Sequence, residues 1–117
     1  MENRISQQPL NDFTLVITPG KTLDNTNAHE MVQIILEAQT KEYSHIIVDM
    51  AHLEFLSSAG VGSILGTIDS FRDIGGDIVV CNVSSHILHV FEVLDLTGYL
   101  TIAATETEAA EQCQTKG

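Results

Sequence analysis

From His45 to Met50 the chain runs His-Ile-Ile-Val-Asp-Met, a β-branched block of strand length. Downstream, Val61, Ile64, Leu65, Ile68 and Phe71 recur at intervals suited to one face of a helix. The first pattern predicts a buried strand over 45–50 and the second a helix over 58–74. Ile74-Gly75-Gly76-Asp77 supplies a glycine stop and turn, after which Ile78-Val79-Val80-Cys81 reads as another compact apolar strand. Ser84-Ser85 then opens a helix whose Ile87, Val90, Phe91 and Leu94 form an inward stripe. His86, His89 and Glu92 largely face elsewhere, and Gly98 marks the end. Tyr99–Ile102 predicts a short last strand, and Thr105 with Glu108 has capping-box spacing for a final helix through about Cys113. Gln114–Gly117 reads as a frayed tail.

The N-terminal part has a different rhythm. Arg4–Gln8 suits a short polar edge strand, Pro9–Asp12 a turn and Phe13–Thr18 a second strand, together a hairpin closed by Pro19-Gly20. Thr22–Thr26 leads toward a helix carrying Ala28, Met31, Val32 and Ile35 on one face, with Asp24 or Asn25 as its cap. Ile34 and Leu36 widen that stripe, which suits a helix packed on a sheet. Strands and helices alternate from there on, the order produced by right-handed crossovers around a parallel sheet. The expected architecture is one α/β domain over residues 1–117, with no internal repeat, low-complexity tract or linker.

The size and composition agree with that architecture: 117 residues, 44% of them hydrophobic, suffice for one core. Five basic residues stand against 16 acidic ones, a formal charge of −11. Such a field repels phosphate backbones and anionic membrane surfaces, and the scattered Arg4, Lys21, Lys41, Arg72 and Lys116 form no basic cluster. Direct nucleic-acid binding is therefore not expected. No signal-peptide pattern and no run approaching ~18 apolar residues is present, so the expectation is a cytoplasmic protein without membrane insertion. Cys81 and Cys113 are too far apart for a CxxC motif and read as inert thiols.

Candidate chemistry converges on Leu53–Gly66, where two hydroxyls sit at the change from loop to helix. Ser57 and Ser58 fall at the predicted N-cap, where a serine oxygen accepts from an orphan backbone N–H. Most serines there are caps and nothing more. Gly60 and Gly62 make this corner unusual, because each costs a helix roughly 0.8–1 kcal/mol relative to Ala. Glycine is placed at such cost where another backbone or a partner approaches closely. Gly60-x-Gly62-x-x-x-Gly66 does not have dinucleotide-binding spacing, and no phosphate-binding P-loop is present. His86-x-x-His89 lacks further metal ligands, and neither serine lies in a nucleophile elbow. No enzyme activity, cofactor or metal is expected. A phosphate on Ser58 would add about −1.5 to −2 charges, tolerable at a helix N-terminus but disruptive within an apolar interface.

Three segments carry a family resemblance: Gly20-Lys21-Thr22-Leu23-Asp24, Asp49 through Gly66, and Gly75 through Ser84 with the helix that follows. In these the chain resembles a single-domain STAS protein of the bacterial anti-sigma factor antagonist family, from Phe13 to the final helix. The resemblance implies a mixed, mostly parallel four- to five-stranded sheet flanked by about four helices. It also implies partner switching: capture of an anti-sigma factor that is itself a serine kinase, ended by phosphorylation and restored by a serine phosphatase. By motif position Ser58 corresponds to the phosphoacceptor, Asp24 to a nearby acidic residue, and Gly60 and Gly62 to the glycines that follow. Many members have Asp-Ser-[Ser/Thr]-Gly where this chain has Ser57-Ser58-Ala59-Gly60, which makes Ser57 the alternative acceptor.

The expected function is thus an anti-sigma factor antagonist acting indirectly on transcription, with Asp24, Asn25, Ser57, Ser58, Ala59, Gly60, Val61 and Gly62 as its partner-binding residues. Two other readings use the same residues. In one the domain is a non-switching adaptor of a transporter or signalling scaffold, and the serines only cap a helix. In the other, ranked lower, the glycine corner binds or hydrolyses a nucleotide.

Overall fold

The computed structural model describes residues 4–114. Its elements are β1 (Ser6–Pro9), β2 (Thr14–Thr18), β3 (Thr22–Leu23), α1 (Ala28–Thr40), β4 (His45–Asp49), β5 (Phe55–Leu56), α2 (Ser58–Arg72), β6 (Asp77–Cys81), α3 (Ser85–Val93), β7 (Thr101–Ala103) and α4 (Glu106–Gln112). The main sheet has five strands in the order β1-β2-β4-β6-β7. Only the β1–β2 hairpin is antiparallel, so the sheet is mixed and mostly parallel, flanked by four helices as expected.

Alternation along β4 and β6 divides the core in two. Ile46, Val48, Ile78 and Val80 join the larger cluster with Met31 and Ile35 of α1, Ile64, Ile68 and Phe71 of α2, and Ile87 and Phe91 of α3. Ile47, Val79 and Cys81 point the opposite way, toward Ala109 and Cys113 at α4. Both faces are covered, which is why these strands are apolar throughout instead of alternating with polar residues. Each fully buried aliphatic side chain contributes roughly 1.5–3 kcal/mol. Burial pushes the Cys81 thiol up to about 12, helped by Asp49 and Glu106, and the Cys113 thiol up to about 11. Both thiols are free.

Several boundaries differ from the sequence expectations. The edge strand runs Ser6–Pro9 rather than Arg4–Gln8, and Pro9 is accommodated because β1 has a neighbour on one side only. The N-cap position of α1 is Asn27, not Asp24 or Asn25, and its side chain makes no cap bond to the helix. Asn27 Oδ1 accepts from Asp24 N at 2.9 Å and its Nδ2 donates to the Thr22 carbonyl at 2.9 Å, binding the connection to the helix start. The α3 helix ends at Val93, well before Gly98, and Leu94 is 46% exposed instead of completing the inward stripe. The last strand is Thr101–Ala103 rather than Tyr99–Ile102. At α4, Thr105 Oγ accepts from Glu108 N as a cap should, but Glu108 Oε2 accepts from Ala104 N rather than from Thr105 N. Apart from Gln114, which is exposed, the expected frayed tail lies outside the described residues.

The end of α2 is clamped, which holds the helix in register against the sheet. Arg72 Nε donates to Asp77 Oδ1 at 2.9 Å, its Nη2 donates to the Tyr99 carbonyl at 2.7 Å, and its guanidinium lies 4.7 Å from the Tyr99 ring centre. Gly75 takes a left-handed φ of 85°, and Gly76 N returns to the Phe71 carbonyl at 2.9 Å.

Two substitutions test this packing. A Cβ on Gly76 would stand 1.6 Å from the Ser44 carbonyl oxygen, so Gly76→Ala is expected to destabilise by about 3 kcal/mol in urea denaturation. The buried Thr14 Oγ1 makes no hydrogen bond. Thr14→Val, which removes that orphaned oxygen, is expected to raise stability by about 1 kcal/mol in the same assay.

Candidate functional site

The site is assembled by a two-stranded ribbon absent from the sequence reading. Parallel pairing of β3 with β5 sets Thr22 beside Phe55 and Leu23 beside Leu56. Glu54 N and Phe55 N both donate to the Lys21 carbonyl, at 2.7 and 3.1 Å, and Ser57 N donates to the Leu23 carbonyl at 3.0 Å. Leu23 and Leu56 point inward and are buried, so the ribbon is fastened to the core beneath it. In this way the Asp24 corner and the start of α2, separated in the chain by the whole of α1 and β4, become neighbours.

The two serines have different tasks. Ser57 is the N-cap, with extended backbone at φ −91° and ψ 172°; its Oγ accepts from Gly60 N at 3.3 Å and its carbonyl from Val61 N at 2.9 Å. Ser58 is the first helical residue and is exposed. The cap bond engages the Ser57 oxygen, whereas Ser58 lies exposed one residue on.

The two glycines also divide. A Cβ on Gly60 would meet the Leu23 carbonyl oxygen at 2.4 Å and the Leu56 side chain at 2.8 Å. Gly60 therefore serves the close approach of α2 to the ribbon within the chain itself. Gly62 and Gly66 have nothing within 4 Å of that position and lie exposed on the same outer face as Ser58, one and two turns on. No packing inside the described structure requires glycine at either.

Three glycines make α2 a poor helix by propensity, and tertiary packing offsets that deficit. Its buried hydroxyls bond back to the helix: Ser63 Oγ to the Gly60 carbonyl at 2.6 Å, and Thr67 Oγ1 to the Ser63 and Ile64 carbonyls at 3.1 and 3.0 Å. Their polarity is thereby satisfied without water.

Asp24 Oδ1 accepts from Thr26 Oγ1 at 2.6 Å and from Thr26 N at 2.9 Å. The side-chain bond first, then the backbone bond, holds the Asp24 carboxyl below its usual range, so it is a fixed negative charge beside the serines. Asn25 is exposed at the tip of this turn.

Not every expected partner-binding residue faces outward. Val61 is only 5% exposed and packs into the main core, so it supports the corner from below and offers no surface to a partner. Gly60 is likewise buried, while Ala59 is half-buried. The outward set is Asp24, Asn25, Ser58 and Gly62, with Ser57 at its margin.

The histidines form no metal centre among the described residues. His86 lines an open cleft of about 720 Å³ with Lys21, His52, Glu54 and Ser84, and His89 Nδ1 lies 3.7 Å from Glu92 Oε1. Among the described residues no helix is long and apolar enough to cross a membrane.

With the sheet order, the ribbon and the serine corner in view, comparison with known proteins gives a consistent result: residues 5–109 match the STAS domain model, and the chain belongs to that family. A relative from Bordetella bronchiseptica named "Putative anti-sigma factor antagonist BtrV" is 28% identical over 101 residues, covering 85% of this chain and 84% of its own. The anti-sigma F factor antagonist of Paenibacillus polymyxa is 29% identical over 90 residues, covering 75% of this chain and 74% of its own. Among solved structures, the unphosphorylated anti-sigma factor antagonist SpoIIAA superposes with a TM-score of 0.81 at 25% identity, covering 93% of this chain and 95% of its own. The phosphorylated form of SpoIIAA from Bacillus gives a TM-score of 0.74 at the same 25% identity, covering 93% of this chain and 98% of its own.

The contrast between the glycines is open to measurement. Gly60→Ala is expected to destabilise by about 2 kcal/mol through the clash with the Leu23 carbonyl. Gly62→Ala is expected to stabilise by about 0.8 kcal/mol through helix propensity alone. Ser57→Ala should lose about 1 kcal/mol of capping, and Ser58→Ala less than about 0.5 kcal/mol. Urea denaturation of the four variants in parallel checks both the signs and the order.

Proposed function

We propose that this protein is an anti-sigma factor antagonist that captures an anti-sigma factor serine kinase and is released when Ser58 is phosphorylated. The observation that carries the reading is the division of labour at the start of α2: Ser57 Oγ is engaged by Gly60 N, while Ser58 is exposed. The relatives named as anti-sigma factor antagonists, one of them solved in phosphorylated and unphosphorylated forms, support the same class of function.

In the capture-competent state the surface around Ser58 consists of the outer face of α2, smoothed by Gly62 and Gly66, and the Asp24-Asn25 turn. It is non-enzymatic: binding of the kinase frees a sigma factor by competition. The kinase transfers the γ-phosphoryl group of ATP to Ser58 Oγ, with loss of the hydroxyl proton and release of ADP. The new group sits at the N-terminus of α2, where the helix dipole and first-turn N–H groups favour negative charge. The fold therefore accepts it. The docked partner does not, because the phosphate brings desolvation cost and further negative charge beside Asp24 to a chain already at −11. A serine phosphatase hydrolyses the phosphoserine and restores the binding surface. The activity is cytoplasmic and needs no cofactor or contact with DNA.

The test is titration of the cognate anti-sigma kinase against three forms of the protein, with mass-spectrometric mapping of the modified residue. The wild type and Ser58→Ala should bind with similar affinity, Ser58→Asp should bind at least about tenfold more weakly, a loss of about 1.4 kcal/mol, and phosphate should map to Ser58. Equal affinity of the stoichiometrically phosphorylated and unmodified proteins would overturn the switch and leave a permanent adaptor as the better description.

A further inference from the structure

One side chain at this corner is unexplained by the internal packing. Phe55 belongs to a two-residue strand, yet it is 50% exposed, while its neighbour Leu56 is 5% exposed. Strand alternation gives the reason: with Leu23 and Leu56 turned into the core, Thr22 and Phe55 occupy the outer face of the ribbon. Asp24 and Ser57 directly follow the pair and are joined through the bond from Ser57 N to the Leu23 carbonyl. Phe55 thus stands on one surface with the corner that carries Ser58, on backbone held by two bonds to Lys21 and tied at Ser57 to Leu23. An aromatic ring on such a rigid support loses little further freedom on binding, the property of an interface anchor.

The electrostatic surroundings indicate what would cover it. Glu54 directly precedes Phe55 and Asp24 directly follows Leu23, with Lys21 on the facing segment, where its carbonyl accepts from Glu54 N, in a chain whose formal charge is −11. Asp24 is kept ionised by its bonds from Thr26. An apolar ring on a chain of such net acidity is complementary to an apolar socket rimmed by lysine or arginine. We propose that Phe55 is the apolar anchor of the docking surface and inserts into a basic-rimmed socket on the anti-sigma kinase; the inference rests on the functional reading above and adds to it the residue that supplies affinity and partner choice.

A phosphate on Ser58 then acts on an interface whose affinity comes largely from a neighbouring side chain. Phosphorylation need not move Phe55; it introduces charge at the margin of the socket.

The experiment measures binding of the purified anti-sigma kinase from the same organism to wild type, Phe55→Ala, Phe55→Leu, Ser58→Asp and the control Val93→Ala, which removes a side chain 69% exposed on α3. Circular dichroism melts establish that each variant is folded. Phe55→Ala is expected to weaken binding at least about tenfold and Phe55→Leu by less, with Val93→Ala unchanged, and wild-type affinity should fall as ionic strength rises. If Phe55→Ala binds like wild type while Ser58→Asp does not, the anchor is refuted and the switch stands. If the wild type itself fails to bind the kinase, the functional reading fails and the anchor with it. Equal weakening by Phe55→Ala and Val93→Ala would reduce the effect to general stickiness and overturn the proposal. So would sedimentation showing that Phe55→Ala dissociates a dimer of this chain while kinase binding is unaffected.

Discussion

The contact on which the corner depends is the approach of the first turn of α2 to the Leu23 carbonyl. That oxygen accepts from Ser57 N and lies where a side chain at residue 60 would begin. Everything positioned there follows from it. The ribbon can pair only if β3 comes this close, the helix can start at Ser58 only if Ser57 caps it at this point, and Ser58, the first residue past the cap, is exposed while Ser57 is half-buried. A glycine that weakens the helix locally is thus what makes the geometry of its entrance possible.

Support for the contact comes from both ends of α2. At its start, the Asn27 amide links Thr22, Asp24 and the beginning of α1, so the strand under the helix cannot drift. At its end, Arg72 joins Asp77 and the Tyr99 carbonyl, fixing the helix against β6 and the segment leading to β7. Between them, Val61, Ile64, Ile68 and Phe71 are buried against the sheet. The serine corner is therefore carried by a helix restrained along its length.

Much of the fold could be read from residue order because the sheet is covered on both faces. Strands such as Ile46–Val48 and Ile78–Val80 are continuously apolar for that reason, and the helices between them carry clear inward stripes. The serine corner was legible through its glycines. The β3–β5 ribbon was not, since two residues leave no period to detect and their pairing joins segments some thirty positions apart. The start of α1 was missed because Asp24, Asn25 and Asn27 are all good capping types, yet the Asn27 side chain turns back to Asp24 and Thr22 and makes no cap bond to the helix. Leu94 extended the apolar stripe of α3 in the sequence, but the helix stops one residue earlier and Asp95 takes a left-handed φ of 59°. Phe55 lacked any signal of its own; its orientation depends on which neighbour the ribbon turns inward.

The hairpin at the other side of the molecule bears on how the protein behaves when many copies are present. An exposed sheet margin is a template onto which further strands can add. Here β1 is four residues long, wholly solvent-facing and composed of Ser6, Gln7, Gln8 and Pro9, the last without an amide hydrogen to offer. The opposite margin, β7, has only three residues. Short, polar and proline-ended borders, together with strong mutual charge repulsion, disfavour edge-to-edge polymerisation and keep a crowded population of such chains dispersed.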